Sequence, residues 1–378
     1  MAATEAAAGA APSAGARGRY DALDGIRGFA VLLVFCVHAA GNGAAVALGV
    51  DFERAHFTAL PTVGERALFW LYASHHGVFL FFVLSGFLIG RMWWPRPAMP
   101  YATFAWRRTL RIYPAFALAF VASLAFAYAS GTWTPPDLAR VAGNALFLNG
   151  LPGGSVVPFN IVTWSLFYEM TFYLAFPAFA LAAVALGPRA GSALWAIPLG
   201  ATLVAVARGA DGLVLCWALL FAGVALAVHE APVRALAARL PAGAVLGVYV
   251  AVTTAALFET MPPAPAIVAF GAATVMLVAK SLAPGNAVAW LFLRRPLRAL
   301  GRISYSFYLV HWMLVVLAAR AVAGHVGALG AFGAIVAVFV AGFAASAVAG
   351  TALWWVAERP YFARFAAGRP SGVPNRRE

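Results

Sequence analysis

The sequence predicts an all-α integral membrane protein of about ten transmembrane helices with both termini cytoplasmic, and three observations carry that expectation. Of 378 residues, 63% are hydrophobic and 10% charged, with a mean hydropathy of +0.85; soluble domains are about half apolar and a quarter charged. Apolar stretches of about 20 residues recur along the chain, the length that crosses the hydrocarbon layer as a helix. They are too long and too uniformly apolar for the alternating strands of a barrel, and a helix bonds every lipid-facing backbone group internally. Finally, with the N-terminus inside, only Arg54, Arg66, Arg140, Arg208 and Arg320 fall outside, and all other Lys and Arg among the 26 fall inside. The positive-inside rule predicts that bias. It also accounts for the net charge of +13 without a nucleic-acid partner, and it sets part of the basic excess against anionic headgroups of the lipid bilayer.

Taken in order, residues 1–19 (MAATEAAAGAAPSAGARGR) are Ala/Gly-rich, contain Glu5 and lack an apolar h-region. They are expected to form a disordered cytoplasmic leader and not a cleaved signal. Residues 20–362 form a single membrane domain, and 363–378 a cytoplasmic tail. The expected spans are 27–48, 72–94, 112–130, 160–186, 191–207, 212–229, 240–258, 264–282, 304–322 and 328–356. The first follows Asp24 and Arg27 at the inner face, the second ends near Arg91, and Pro114 marks where the third begins. The fifth and sixth are short, and only Arg208 and Asp211 divide them, so they also fit one broken hairpin. Cys36 and Cys216 lie inside apolar helices as small packing residues. The sequence shows no internal repeat, nucleotide-binding glycine loop or metal-spaced cluster, and the expected location is the inner (plasma) membrane.

Ionisable groups inside a membrane are costly and mark function by default. There are few: His38 in the first helix, Glu169 in WSLFYEMTFY (164–173), His311 in GRISYSFYLVHW (301–312), and Glu358 closing the last helix in WWVAERP (354–360). At 1.5 Å per residue, His38 lies about 16 Å from Arg27 and His311 about 13 Å from Arg302. Glu169 lies at a similar depth below the outer end of its helix, so all three reach the middle third of the bilayer. A second constellation lies at the inner face, where FAWRRTLRIYPAF (104–116) sets Arg108 and Arg111 three apart on one side of a helical turn. Arg107 joins them, and Arg27 adds to them with Asp24 one turn earlier to orient it. Arginine forks match phosphate oxygens bidentately, although arginines at a membrane edge also serve as snorkelling anchors. Arg294, Arg295, Arg298 and Arg302 enlarge this basic vestibule. A vestibule leading to a buried histidine suits an anionic donor whose reactive end meets a general base or nucleophile, and acyl-coenzyme A has that outline.

The stretches LDGIRGFAVLLVFCVH (23–38), GVFLFFVLSGFLIGR (77–91), RRTLRIYP (107–114), WSLFYEMTFY and GRISYSFYLVH occur in one order. As a set they resemble acyltransferase family 3, integral membrane O-acyltransferases, from about residue 20 to 362. The resemblance implies transfer of acetyl or another short acyl group, usually from acyl-CoA as donor substrate with no permanently bound cofactor. The implied acceptor is a sugar hydroxyl of a polysaccharide, lipid-linked sugar or glycosylated natural product such as a macrolide. It implies that His38 is the key catalytic histidine and that Arg27, Arg108 and Arg111 serve near the donor. Ser85, Gly86, Glu169, Tyr305, Tyr308 and His311 are its other motif positions. Glu169 or His311 would then orient the imidazole or relay its proton, while Ser85 or a tyrosine bonds the oxyanion. Direct base-assisted transfer and an acyl-His38 intermediate both fit the residues. Some family members carry an extracytoplasmic domain that finishes the transfer. Here either the acceptor reaches the membrane core or a separate partner protein takes the acyl group onward. Buried histidines and carboxylates equally serve proton-coupled exporters, but the paired repeats and broken helices expected of those are not evident.

Overall fold

The computed structural model describes residues 14–73, 76–94, 97–154, 156–210, 214–257 and 263–366. The expected leader up to residue 13, the divider Asp211 and the tail from 367 lie outside the described residues. Within them the structure is helical: α1 (Ala14–Leu48), α2 (Val63–Tyr72), α3 (His76–Trp93), α4 (Tyr101–Ala129), α5 (Leu138–Ala145), α6 (Trp164–Ala185), α7 (Gly187–Leu194), α8 (Ala196–Ala207) and α9 (Leu215–Val228). There follow α10 (Glu230–Arg239), α11 (Ala242–Leu257), α12 (Pro263–Ser281), α13 (Ala287–Phe292), α14 (Arg295–Arg302), α15 (Ser304–Ala323), α16 (Val326–Leu353) and α17 (Arg359–Ala366). Helix α1 begins within the expected leader, and α17 runs into the expected tail.

Among the described residues, six helical stretches are long and apolar enough to cross a membrane: Asp21–Leu48, Val63–Trp93, Tyr101–Ala129, Ile161–Ala185, Ser304–Ala323 and Val326–Phe365. That is fewer than the ten expected. The four missing segments are apolar but short: α7 and α8 break the fifth, and Ala242–Ala255 and Pro265–Ser281 fall below the spanning length. The sixth, α9, turns by 90° into α10 after 14 residues, a rise of about 21 Å against a hydrocarbon core of about 30 Å.

Helix α1 lies at the centre, packed against α2, α3, α13, α14, α15 and α16. Glycines permit backbone-to-backbone contact where the site is assembled. A Cβ on Gly28 would stand 1.9 Å from the Leu297 carbonyl oxygen, and one on Gly301 would stand 1.7 Å from that of Asp24. Between α3 and α9, a Cβ on Gly86 would meet Leu220 O at 1.8 Å and one on Gly223 would meet Val83 O at 2.1 Å. Small residues at such crossings are what membrane helices use to approach closely. Polar ties hold the bent segment: Glu230 of α10 pairs with Arg91 and Arg234, and Arg234 reaches Leu282 O. Lys280, the one lysine of the chain, is buried and donates to the carbonyls of Ala237, Ala238 and Leu240 at 3.0, 3.3 and 2.7 Å, closing the C-terminus of α10.

The connection from α4 to α6 is a structured cap. Asp137 caps α5, and Arg140 donates to the carbonyls of Thr132, Val157 and Pro158. Asn160 then donates to Leu309 O at 2.7 Å, anchoring the start of α6 on α15.

Candidate active site

Two helices with facing polar edges make the centre of the site. On α6, Ser165, Glu169 and Tyr173 recur every four residues and so share one face; on α3, Ser85 meets them. Ser85 Oγ donates to Glu169 Oε1 at 3.1 Å and lies 3.1 Å from Tyr173 Oη, whose hydroxyl reaches Glu169 Oε2 at 3.4 Å. These groups line a cavity of about 140 Å³. Arg27, Arg108, Arg111 and Tyr305 line it as well, and so do Phe81, Phe82, Ser165 and Tyr308. Three cations therefore face one space that also holds Glu169.

The arginines are not equivalent. Arg111 forms an ion pair with Glu358, and its guanidinium lies over the rings of Tyr305 and Phe362 at 5.4 and 4.8 Å. Glu358 is buried and also accepts from the Ser306 amide at 3.0 Å and from its hydroxyl. A π-helical turn, Trp354–Glu358, at the end of α16 delivers that carboxylate. Arg108 instead lies over Phe104 and Tyr173 and donates to Met92 Sδ at 3.0 Å, while its Nε is buried without a partner among the described residues. Arg27 lies within electrostatic reach of Asp24, Glu358 and Glu169. Arg107 is turned to Phe365, 5.1 Å from its ring centroid.

His38 and His311 form a second group, their ring centroids 5.2 Å apart. His311 is fully buried against Phe307, and its Nδ1 lies 2.7 Å from Tyr308 O. A carbonyl only accepts, so Nδ1 carries the proton and Nε2 presents a lone pair. Tyr308 joins the two groups: its ring is 5.7 Å from that of His311 and it also lines the cavity. Its hydroxyl donates to Val162 O at 2.6 Å and therefore accepts from Ser165 Oγ at 2.9 Å. Tyr308 and Ser165 thus form part of the cavity wall, and the two histidines do not line it.

Similarity to known proteins decides what kind of site this is. A family profile described as an acyltransferase domain, acyltransferase family 3, matches residues 20–354. The chain belongs to this family. It is an acyltransferase enzyme, which decides against an exporter. The acyltransferase MdmB of Streptomyces mycarofaciens is 27% identical over 93% of this chain and 94% of that protein. No solved structure matches at a significant level.

In this acyltransferase the three groups expected at one depth fall into two clusters. Equal depth does not bring His38, Glu169 and His311 together. His38 meets His311, while Glu169 joins Ser85, Arg27, Arg108 and Arg111 around the cavity. Sequence reading passed over Tyr173 and Ser165, although their four-residue spacing from Glu169 was the available signal.

Proposed function

We propose that the chain transfers an acetyl or other short acyl group from acyl-CoA to a hydroxyl of a carbohydrate-containing acceptor: a surface polysaccharide, a lipid-linked sugar or a glycosylated natural product such as a macrolide. The observation that carries this reading is the cavity that brings three arginines to a hydrogen-bonded Ser85–Glu169 pair, with Tyr308 of its wall packed on a pair of histidines. Arg27 and Arg108 hold donor phosphates, and Arg111, fixed by Glu358, supports them electrostatically. His311 packs beside His38 with ring centroids 5.2 Å apart, and that packing holds the His38 imidazole so that one of its nitrogens takes the proton of the acceptor hydroxyl as that oxygen attacks the acyl carbonyl. Tyr173 donates toward the developing oxyanion.

The setting we propose is the inner membrane, with ten membrane segments, four of them short or bent, and both termini cytoplasmic. The donor then enters from the cytoplasm at the arginines and the acceptor approaches the histidines from the other side, directly or through a partner protein. Membranes containing the protein, incubated with radiolabelled acetyl-CoA and candidate acceptors, should transfer label to an acceptor. His38→Ala should abolish transfer while leaving expression and thermal unfolding unchanged. An active, well-folded His38→Ala protein overturns the assignment of the base.

A further inference from the structure

The cavity that faces the donor arginines does not contain the histidines. It contains instead a serine whose Oγ donates to a carboxylate at 3.1 Å, with a tyrosine hydroxyl 3.1 Å from the same Oγ. A hydroxyl held by a base, beside a further donor and three cationic side chains, is the constellation of an activated nucleophile. Neither His38 nor His311 lines this cavity, so a thioester docked among the arginines meets Ser85 before it meets either imidazole. We infer that Ser85 is the first acyl acceptor and that the reaction passes through an O-acyl-serine. The inference rests on acyl-CoA as donor, as proposed above.

In the first step Ser85 Oγ attacks the thioester carbonyl, and its proton passes to the Glu169 carboxylate. Tyr173 Oη bonds the carbonyl oxygen as it gains charge. The C–S bond breaks and coenzyme A leaves as a thiolate beside Arg27 and Arg108. In the second step the acceptor hydroxyl attacks the ester carbonyl and gives its proton to His38. The C–Oγ bond breaks, and the serine oxygen recovers the proton held by Glu169. The proton on His38 finally neutralises the thiolate through solvent. No oxidant or further co-reactant is required, and each residue returns to its starting state.

The covalent state is accessible without the acceptor. Purified protein in detergent is incubated with radiolabelled acetyl-CoA alone, quenched in acid, and mapped by peptide mass spectrometry. Acid-stable label on Ser85 is expected. It should be lost in Ser85→Ala, retained in Ser85→Cys as a hydroxylamine-sensitive thioester, and accumulated in His38→Ala. Acid-labile label on His38, or acceptor-dependent release of coenzyme A with no enzyme-bound label, overturns the inference and leaves acyl-CoA as donor intact. Wild-type protein that neither binds acetyl-CoA nor transfers its label to any acceptor marks failure of the proposed function itself. Retained acetyl-CoA binding by the Ser85→Ala protein shows that it has folded.

Discussion

Two arginines one helical turn apart differ because Arg111 is ion-paired with a carboxylate and Arg108, among the described residues, is held by a thioether and two rings instead. Arg111 is locked by a fully buried carboxylate 247 positions away, and breaking a buried pair strands the remaining charge at a cost of about 3–5 kcal/mol. Arg111→Ala should therefore lower resistance to unfolding, measured by heat or denaturant in detergent, and Glu358→Gln should do the same. Arg108, with an unpartnered buried Nε, should behave oppositely: Arg108→Ala should leave stability nearly unchanged while weakening acyl-CoA binding about tenfold or more, the worth of one charge-assisted hydrogen bond at about 1.5–3 kcal/mol. An unchanged dissociation constant by equilibrium dialysis counts against the clamp. At this scale the residue types of the site were legible in the sequence, because an ionisable group in an apolar run stands out. Their partners were not. Ser85 and Glu169, or Arg111 and Glu358, are brought together by helix packing, and depth along one helix does not say which way its side chain faces.

Helices here are placed by glycines as much as by apolar faces. Gly86 adjoins Ser85 and rests on the Leu220 carbonyl, a backbone atom that cannot rotate away as a side chain can. Gly86→Ala should force α3 off α9, costing about 1–3 kcal/mol, and should reduce transfer because the Ser85 hydroxyl shifts from Glu169. Gly200, whose Cβ would meet nothing within 4 Å, supplies the control: Gly200→Ala should be neutral or gain about 0.5–1 kcal/mol from reduced chain entropy. Equal unfolding temperatures for the two variants count against this account. The long helices were legible because bilayer thickness demands about 20 apolar residues. The middle of the chain was not, since α8, α9 and α11 are as apolar as true spans. The sequence placed the ends of α8 and α9 within a residue, at 207 and 229 against Ala207 and Val228, but apolarity does not say that the helices between such ends are short or bent.

For the molecule as a whole, net arrangement across the bilayer is the property to measure. With Cys36 and Cys216 replaced by alanine, an impermeant maleimide should label Val63→Cys on intact cells, since Val63 is 83% exposed at the start of α2. Arg239→Cys, at the end of the bent segment, and Arg295→Cys should react only after permeabilisation. Labelling of Arg239→Cys from outside removes the ten-segment arrangement. The positive-inside bias predicts that orientation from sequence alone, whereas the 90° turn at α9–α10 has as its local signal Pro232, in the first turn of α10, which an apolarity reading passes over because proline is also ordinary at a helix start. The hydroxyl bridge of Tyr308 and Ser165 has a further consequence for the cell that hosts such an enzyme. Both hydroxyls are committed, to each other at 2.9 Å and from Tyr308 to Val162 O at 2.6 Å, so this part of the cavity wall leaves no free hydroxyl to seat a file of water. If donor and acceptor approach from opposite faces as proposed, acyl transfer should then proceed without an ion leak, measured as unchanged proton flux in vesicles carrying the protein.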